Sequence, residues 1–114
     1  MERIVLLNPL GVFSKRDYDR FGIKILKKNF IVNIFDLTAW LYPNFWKENF
    51  DRIYKCEEYK SISCKEDFLI LNNEKQYQTI ILDCLTINNN KTNWLKNKFK
   101  KNKKNLFFEL QINQ

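Results

Sequence analysis

The chain opens with an apolar run that has no polar alternation. Ile4 to Leu7 is followed by a turn at Asn8 to Gly11, an amphipathic stretch, and a second apolar run from Ile31 to Leu37. An unbroken apolar strand is typical of a parallel sheet that is covered on both faces. The succession therefore predicts a βαβ unit, in which a helix joins two parallel strands.

The stretch between these two strands has helical spacing. Ser14 is followed three residues later by Asp17, which is the spacing of a capping box. Gly22 lies in the middle of the pattern, where glycine costs up to about 1 kcal/mol relative to alanine. Close packing of the helix on a strand is the expected reason for this glycine. The residues on the buried side of the predicted helix are Tyr18, Phe21, Gly22, Ile25 and Leu26.

The rest of the pattern predicts an alternation of helices and strands. Arg52 to Ser61 fits either a short edge strand or a loop. The order predicts an α/β fold with a three-layer, doubly wound, mostly parallel sheet of four to five strands, which is Rossmann-like. The predicted helices cover Ala39 to Phe50, Cys64 to Glu74 and Lys91 to Lys101, and the predicted strands cover Thr79 to Asp83 and Leu106 to Leu110.

The length of 114 residues suits one domain, and no repeat or Gly/Ser-rich linker divides the chain. Residues 1–114 are therefore expected to form a single Rossmann-like domain. A doubly wound domain rarely ends on a strand, because a following helix is needed to cover that face. The pattern equally fits the N-terminal part of a larger two-domain protein that continues past Gln114.

The net charge of +7 comes from 20 basic and 13 acidic residues and is concentrated in one segment. Between Lys91 and Lys104 there are seven lysines and no acids, and the rest of the chain is neutral. Trp94, Leu95 and Phe99 form one apolar face of the helix predicted there. Such a helix fits a solvated surface, an anionic membrane or, as a less favoured partner, nucleic acid. The candidate contact residues are Lys96, Lys98, Lys100, Lys101, Lys103 and Lys104.

Composition excludes several kinds of chemistry. Histidine is absent, which removes the commonest general base and the usual zinc ligand. Cys56, Cys64 and Cys84 match neither a disulfide framework nor a zinc site, so reduced thiols and no metal site are expected. An apolar run of about eighteen residues and a signal peptide are both missing, which indicates a cytoplasmic location.

Polar residues that follow the predicted strands are candidate substrate-binding residues, because sites in parallel α/β sheets lie outside the carboxyl ends of the strands. Aspartates at such positions bind sugar hydroxyls, hold a divalent metal with a phosphate, or simply cap a turn. The first loop is also able to receive an acceptor hydroxyl or a phosphate at the following helix N-terminus. The candidates are Asn8, Gly11 and Ser14 after the first strand, Asp36 and Thr38 after the second, and Asp83, Cys84 and Thr86 after the strand that begins at Thr79.

The first loop lacks two motifs that bind nucleotides. It contains neither G-x-G-x-x-G nor G-x-x-x-x-G-K-[ST], so no nucleotide cofactor is predicted for this chain. The first strand ends in Asn8-Pro9 and not in the acidic pair that a response-regulator receiver domain needs. The receiver reading is therefore disfavoured.

The first forty residues or so carry a family resemblance. The matching segments are Arg3 to Pro9, Asp19 to Asn29 and Ile31 to Thr38. Together they resemble the N-terminal Rossmann-like domain of bacterial GT-B type glycosyltransferases of surface polysaccharide biosynthesis. In that family a helix ending in Leu-Lys-Lys-Asn leads to a strand ending in Asp-Leu-Thr. The chain departs from the family in lacking a glycine-rich first loop and histidine.

The resemblance implies an acceptor-side domain in the assembly of capsule or lipopolysaccharide. Asn8, Gly11, Ser14 and Asp36 would then line the acceptor side of a cleft between two domains. The acceptor would be a sugar or a lipid-linked sugar at the inner face of the membrane, and the lysine helix would help the domain meet that membrane. A second domain would bind the nucleotide sugar donor, so this chain alone would be inactive.

Two further hypotheses remain open from the sequence. One is a self-contained α/β binding module that uses the Lys91 to Lys104 helix for nucleic acid or a protein partner. The other is a small enzyme that acts through Asp36 and Asp83, which requires both carboxylates to lie close together at one edge of the sheet.

Overall fold

Five parallel strands form one sheet in the computed structural model, which describes residues 2–72 and 78–110. The spatial order is β3-β2-β1-β4-β5, and every neighbouring pair is parallel. This is the doubly wound, Rossmann-like order, in which the direction of winding reverses between β1 and β4. The predicted α/β fold is confirmed. The strands are β1 (Arg3–Leu7), β2 (Ile31–Asp36), β3 (Tyr59–Ser61), β4 (Thr79–Asp83) and β5 (Leu106–Glu109).

Helices connect the strands and cover both faces of the sheet. A 3-10 turn at Phe50–Arg52 follows the fourth helix. None of the described helices is long and apolar enough to cross a membrane. In chain order the helices are α1 (Lys15–Arg20), α2 (Ile23–Leu26), α3 (Thr38–Leu41), α4 (Pro43–Asn49), α5 (Lys65–Leu71) and α6 (Asn90–Lys101).

The central strand β1 is buried along its whole length, which explains its unbroken apolar sequence. Its side chains alternate between two hydrophobic clusters, one on each face of the sheet. On one face Val5 and Leu7 lie in a cluster with side chains of α5 and α6. On the other face Leu6 lies in a cluster with side chains from α1 and α2. Both helix layers therefore depend on β1.

The segment predicted as one helix between β1 and β2 is two short helices that meet at Gly22. The predicted capping box is present, because Ser14 and Asp17 exchange their hydrogen bonds at the start of α1. Gly22 has a φ of 66°, which is left-handed, and a Cβ built on it would have nothing within 4 Å. The expectation of close packing at Gly22 was therefore wrong. Glycine is needed there because the backbone turns between α1 and α2.

The aromatic segment from Ala39 to Phe50 differs from the single covering helix that was expected. Trp40 of α3 packs on the core, but α4 buries none of its residues. Tyr42, Phe45 and Phe50 are exposed. These rings lie on the surface after β2, where the prediction had placed them against the sheet.

The remaining boundaries moved by a few residues. β3 resolves the ambiguous segment as a three-residue edge strand beside β2. α5 begins at Lys65. The backbone N–H of Ser63, just before this helix, donates to the carboxylate of Asp67, whereas the expected capping partner of Ser63 was Glu66. Glu74, the predicted end of that helix, lies outside the described residues. α6 begins at Asn90 and is capped by a reciprocal pair of bonds between Asn89 and Thr92.

Replacing Gly22 tests the role of the left-handed turn. Gly22→Ala should lower the free energy of unfolding by about 1 to 2 kcal/mol, because a Cβ is disfavoured at a positive φ. Gly22→Asn should lower it less, because asparagine tolerates this conformation. Urea denaturation measures both. The exposed Lys24→Ala is the control and should change stability by at most about 0.5 kcal/mol; equal effects of Gly22→Ala and Gly22→Asn would contradict the explanation.

Candidate functional site

The loops that follow β1, β2 and β4 begin side by side at the carboxyl edge of the sheet. The backbone N–H of Asn8 donates to the Phe35 carbonyl at 3.0 Å, and the N–H of Cys84 donates to the Leu7 carbonyl at 3.1 Å. The winding reverses between β1 and β4, and doubly wound sheets bind their ligands at this point. The structure therefore places the starts of these three loops next to one another, at the edge of the sheet where the sequence predicted a site.

Asp36 ends β2 and is fully buried, with both carboxylate oxygens engaged. Its Oδ1 accepts from the Thr38 backbone N–H at 2.9 Å and from the Thr38 hydroxyl at 2.6 Å. Its Oδ2 accepts from the Tyr59 hydroxyl. Asp36 consequently positions Thr38 and Tyr59, and none of its oxygens is left for a direct ligand contact.

Burial also decides how Asp36 and Tyr59 ionise. Desolvation raises the pKa of the Asp36 carboxyl above its ordinary value, although the hydrogen bonds from Thr38 and Tyr59 act in the opposite direction. Desolvation and the charge of Asp36 both raise the pKa of Tyr59. Tyr59 therefore keeps its proton and remains the donor.

Gly11 and Thr38, two of the predicted site residues, are in direct contact. The Gly11 backbone N–H donates to the Thr38 hydroxyl oxygen at 3.1 Å. The bond ties the loop after β1 to the start of α3. Gly11 has a φ of 129°, which only glycine adopts readily. Because its N–H is already used, Gly11 does not offer a backbone donor to a phosphate.

Asp83 forms a buried ion pair with Lys96 of α6. Lys96 Nζ lies 2.8 Å from Asp83 Oδ2, and the two side chains are only 8% and 2% exposed. The other oxygen of Asp83 accepts from the Leu85 backbone N–H at 2.9 Å. Lys96 also donates to Asn88 Oδ1 at 3.3 Å. The predicted contact role of Lys96 on the outer surface needs correction, because its charge is used inside the protein.

Asn8 is the predicted site residue with unused hydrogen-bonding capacity. The residue is 2% exposed, and its Nδ2 donates to the Pro9 carbonyl at 2.9 Å. No donor among the described residues reaches its Oδ1. A buried acceptor that lacks a donor costs free energy. This oxygen keeps an unfilled acceptor position, but it is buried, and Asn8 does not line the pocket that opens beside Gly11 and Thr38.

Ser14 caps the N-terminus of α1. Its backbone N–H and its hydroxyl both donate to Asp17 Oδ2 at 3.0 Å, and its hydroxyl oxygen accepts from the Asp17 N–H at 3.2 Å. The carboxylate of Asp17 thus lies at the helix terminus where an anionic ligand would bind. Its negative charge disfavours the phosphate that the sequence had allowed at this position.

A pocket of about 240 Å³ opens at this edge beside the Gly11 to Thr38 contact. Tyr42 and Phe45, at the junction of α3 and α4, are 45% and 42% exposed. Sequence reasoning missed both rings, because an aromatic-rich segment next to a strand is typical of a core. The lining residues are Leu10, Gly11, Thr38, Tyr42 and Phe45.

A larger hollow lies at the opposite, amino end of β2. It measures about 540 Å³ and contains the ion pair of Lys27 with Glu58, whose Nζ and Oε1 atoms are 3.2 Å apart. Phe30 and Lys60 also line it. None of the predicted site residues does. Its position at the amino ends of the strands disfavours it as the ligand site of a doubly wound sheet.

The two candidate aspartates of the described residues lie apart from one another. Asp36 and Asp83 end strands on either side of β1, so their backbones are about 10 Å apart. No group of three or more Cys, Asp or Glu residues within 2–72 and 78–110 is arranged to hold a metal. The three cysteines are free, and burial raises the pKa of the Cys84 thiol to about 11.

Removing Lys96 tests the buried ion pair. Lys96→Met should lower the free energy of unfolding by about 3 to 5 kcal/mol, because it leaves a charged Asp83 buried without its partner. Adding Asp83→Asn to that variant should recover part of the loss. Urea denaturation measures both. Lys98→Met on the same helix is the control, with an expected change below about 1 kcal/mol, and an equal loss in the two single variants would contradict a special role for Lys96.

The raised pKa of Asp36 predicts a pH dependence of stability. The folded protein binds the proton of the Asp36 carboxyl more tightly than the unfolded chain does. Protonation of Asp36 therefore stabilises the fold at pH values below 3.8, and this stabilisation is lost as the pH rises through the pKa of Asp36 in the folded protein. The unfolding free energy of the native protein minus that of Asp36→Asn should therefore fall as pH rises through this window. Tyr59→Phe removes a bond that lowers this pKa and should move the window upward. Denaturation at a series of pH values tests both, and a difference that grows with pH would refute the assignment.

No protein family model, curated protein or solved structure matched this chain. A doubly wound sheet supports many unrelated activities, so the fold alone does not identify a reaction. Function has to be argued from the residues at the carboxyl edge.

Proposed function

We propose that this domain binds a sugar, free or linked to a lipid, in the pocket beside Gly11 and Thr38. In this proposal it is the acceptor-side domain of a glycosyltransferase-like protein of bacterial surface polysaccharide biosynthesis. The observation that carries the proposal is the pairing of two exposed aromatic rings, Tyr42 and Phe45, with a hydroxyl and a glycine at the carboxyl edge.

The chemistry of the pocket suits a sugar ring. A sugar has an apolar face of C–H groups, which packs on an aromatic ring, and a rim of hydroxyls, which needs hydrogen-bonding partners. Tyr42 and Phe45 supply the aromatic surface, and the Tyr42 hydroxyl supplies a polar group.

The size and charge of the edge argue against a nucleotide sugar in this pocket. A volume of about 240 Å³ is below the 300 to 1,000 Å³ that is usual for larger ligands. The engaged N–H of Gly11, which lines the pocket, also disfavours a diphosphate. The nucleotide sugar donor would therefore bind in a second domain, and this chain would not transfer a sugar by itself.

The proposal is tested by titrating the protein with methyl glycosides of common hexoses and N-acetylhexosamines. Two-dimensional NMR should show shifts for the amides of Leu10, Gly11 and Thr38. Tyr42→Ala and Phe45→Ala should each weaken binding by about tenfold, because each removes part of the aromatic surface.

Phe50→Ala is the matched control, because Phe50 is also exposed but does not line the pocket. It should leave the affinity unchanged. Shifts that survive both pocket variants would place the sugar elsewhere. The absence of shifts with every glycoside, or shifts of the same amides with a nucleotide alone, would refute acceptor binding.

A further inference from the structure

The outer surface of α6 is strongly cationic. The helix contains no acidic residue, and four of its five lysines keep at least part of their side chains at the surface. Lys103 and Lys104 follow directly and are exposed. The lysines of α6 at the surface are Lys91, Lys98, Lys100 and Lys101. A surface of one sign attracts an anionic partner over a distance of about 10 Å at ordinary salt.

The neighbouring helix α5 exposes two large aliphatic side chains. Ile70 is 79% exposed and Leu69 is 56% exposed, whereas Phe68 is buried. The Phe68 ring contacts Trp94 at a centroid distance of 5.8 Å and Phe99 at 5.3 Å. Phe68 therefore fixes α5 against α6 and leaves the adjacent aliphatic pair in solvent. Exposed apolar side chains bordered by charge are typical of interaction surfaces.

Leu69 lies on the side of α5 that meets the cationic helix, whereas Ile70 follows the exposed Glu66 by four residues. Lys65 Nζ lies 5.0 Å from the centre of the Trp94 ring, so Lys65 is on the side of α5 that meets α6. Leu69 follows Lys65 by four residues and lies on the same side. From α6, Lys98 Nζ reaches the same ring at 5.3 Å. Leu69 is thus bordered by the cations of both helices.

We propose that the outer face of α5 and α6 docks on an anionic membrane. Leu69 and Ile70 enter the boundary between headgroups and acyl chains, and the lysines lie against the lipid phosphates. Two kinds of contact act together, and binding to a membrane surface grows with both the buried apolar area and the attraction to anionic lipids. Docking of this face does not depend on whether the pocket beside Gly11 binds a sugar.

The surface fits a membrane better than a nucleic acid. Bases stack on free aromatic faces, but the Trp94 ring already faces two ammonium groups and contacts Trp40 and Phe68. Exposed leucine and isoleucine gain nothing from a phosphate backbone, whereas a lipid interface buries them. α6 also presents positive charge without acidic residues. Such a surface attracts any anionic partner and does not select a particular base sequence.

The opposite face of the sheet supplies a matched control. On α2, Ile25 is 70% exposed and is flanked by Lys24 and Lys28, which are also exposed. The adjacent α1 carries Asp17 and Asp19, which form ion pairs there. On the proposed docking face, α5 carries Glu66 and Asp67 in its first turn, whereas α6 carries no acid. The paired lysine-to-glutamate substitutions therefore change the charge by the same amount on the two faces and differ only in location. Ile25→Ser removes one exposed aliphatic side chain, whereas the variant of α5 removes two.

The experiment measures binding of the full chain to lipid vesicles by co-sedimentation. Vesicles of phosphatidylcholine with phosphatidylglycerol should bind the protein, and vesicles of phosphatidylcholine alone should bind it at least about tenfold more weakly. Lys98→Glu with Lys101→Glu should reduce binding to anionic vesicles by at least about twentyfold, since each neutralised lysine is worth about fivefold. Leu69→Ser with Ile70→Ser should reduce it by about tenfold.

The controls are Lys24→Glu with Lys28→Glu, and Ile25→Ser, which should bind as the native protein does. Circular dichroism verifies that every variant folds. Absence of binding to anionic vesicles, or equal losses on the two faces, would overturn the proposal. Two results together would indicate a nucleic-acid surface in place of a membrane surface. A single-stranded oligonucleotide would bind through the same lysines, and Leu69→Ser with Ile70→Ser would leave vesicle binding unchanged.

Discussion

The carboxyl edge of this domain depends on one buried carboxylate. Asp36 accepts hydrogen bonds from Thr38 and Tyr59, and Thr38 in turn accepts from the backbone of Gly11. One side chain therefore joins the end of β2, the start of α3, the edge strand β3 and the loop after β1. Burying a carboxylate costs free energy unless its oxygens accept hydrogen bonds. Moving any of these four segments would break part of this network, so the network stabilises their relative positions. The network fixes Gly11 and Thr38, which form one side of the pocket.

A second buried charge organises the other side of the switch point. Asp83 and Lys96 connect the end of β4 to α6 through a pair that water barely reaches. Lys96 belongs by sequence to the basic segment, where the other lysines face solvent. Its neighbours Leu95 and Phe99 enter the core, and a long lysine stem can follow them and reach a carboxylate at the end of a strand. Residue type alone does not separate this internal cation from the external ones.

The order of elements was predictable because it depends on local rules. Apolar runs without alternation located β1 and β4, and the bonds at Ser14 followed from its capping-box spacing with Asp17. The turn at Gly22 was misread, since helical spacing continues across a left-handed residue. The exposure of Tyr42 and Phe45 was also missed, because whether an aromatic ring meets a core depends on tertiary packing. The ends of the predicted strands located the candidate site residues, but the sequence did not predict which groups these residues would hydrogen-bond to.

The two proposed surfaces are physically connected through α3 and α6. Lys91 Nζ donates to the Trp40 carbonyl at 3.4 Å, and the Trp40 and Trp94 rings meet edge to face at 6.3 Å. Trp40 belongs to α3, the helix that runs from Thr38 toward Tyr42 in the pocket. A lipid-linked sugar has its polar head at the membrane surface, so a pocket joined rigidly to a docking face meets that head without a long linker. Under the two proposals, the docking face brings the domain to the membrane and the pocket binds the acceptor sugar that is held there.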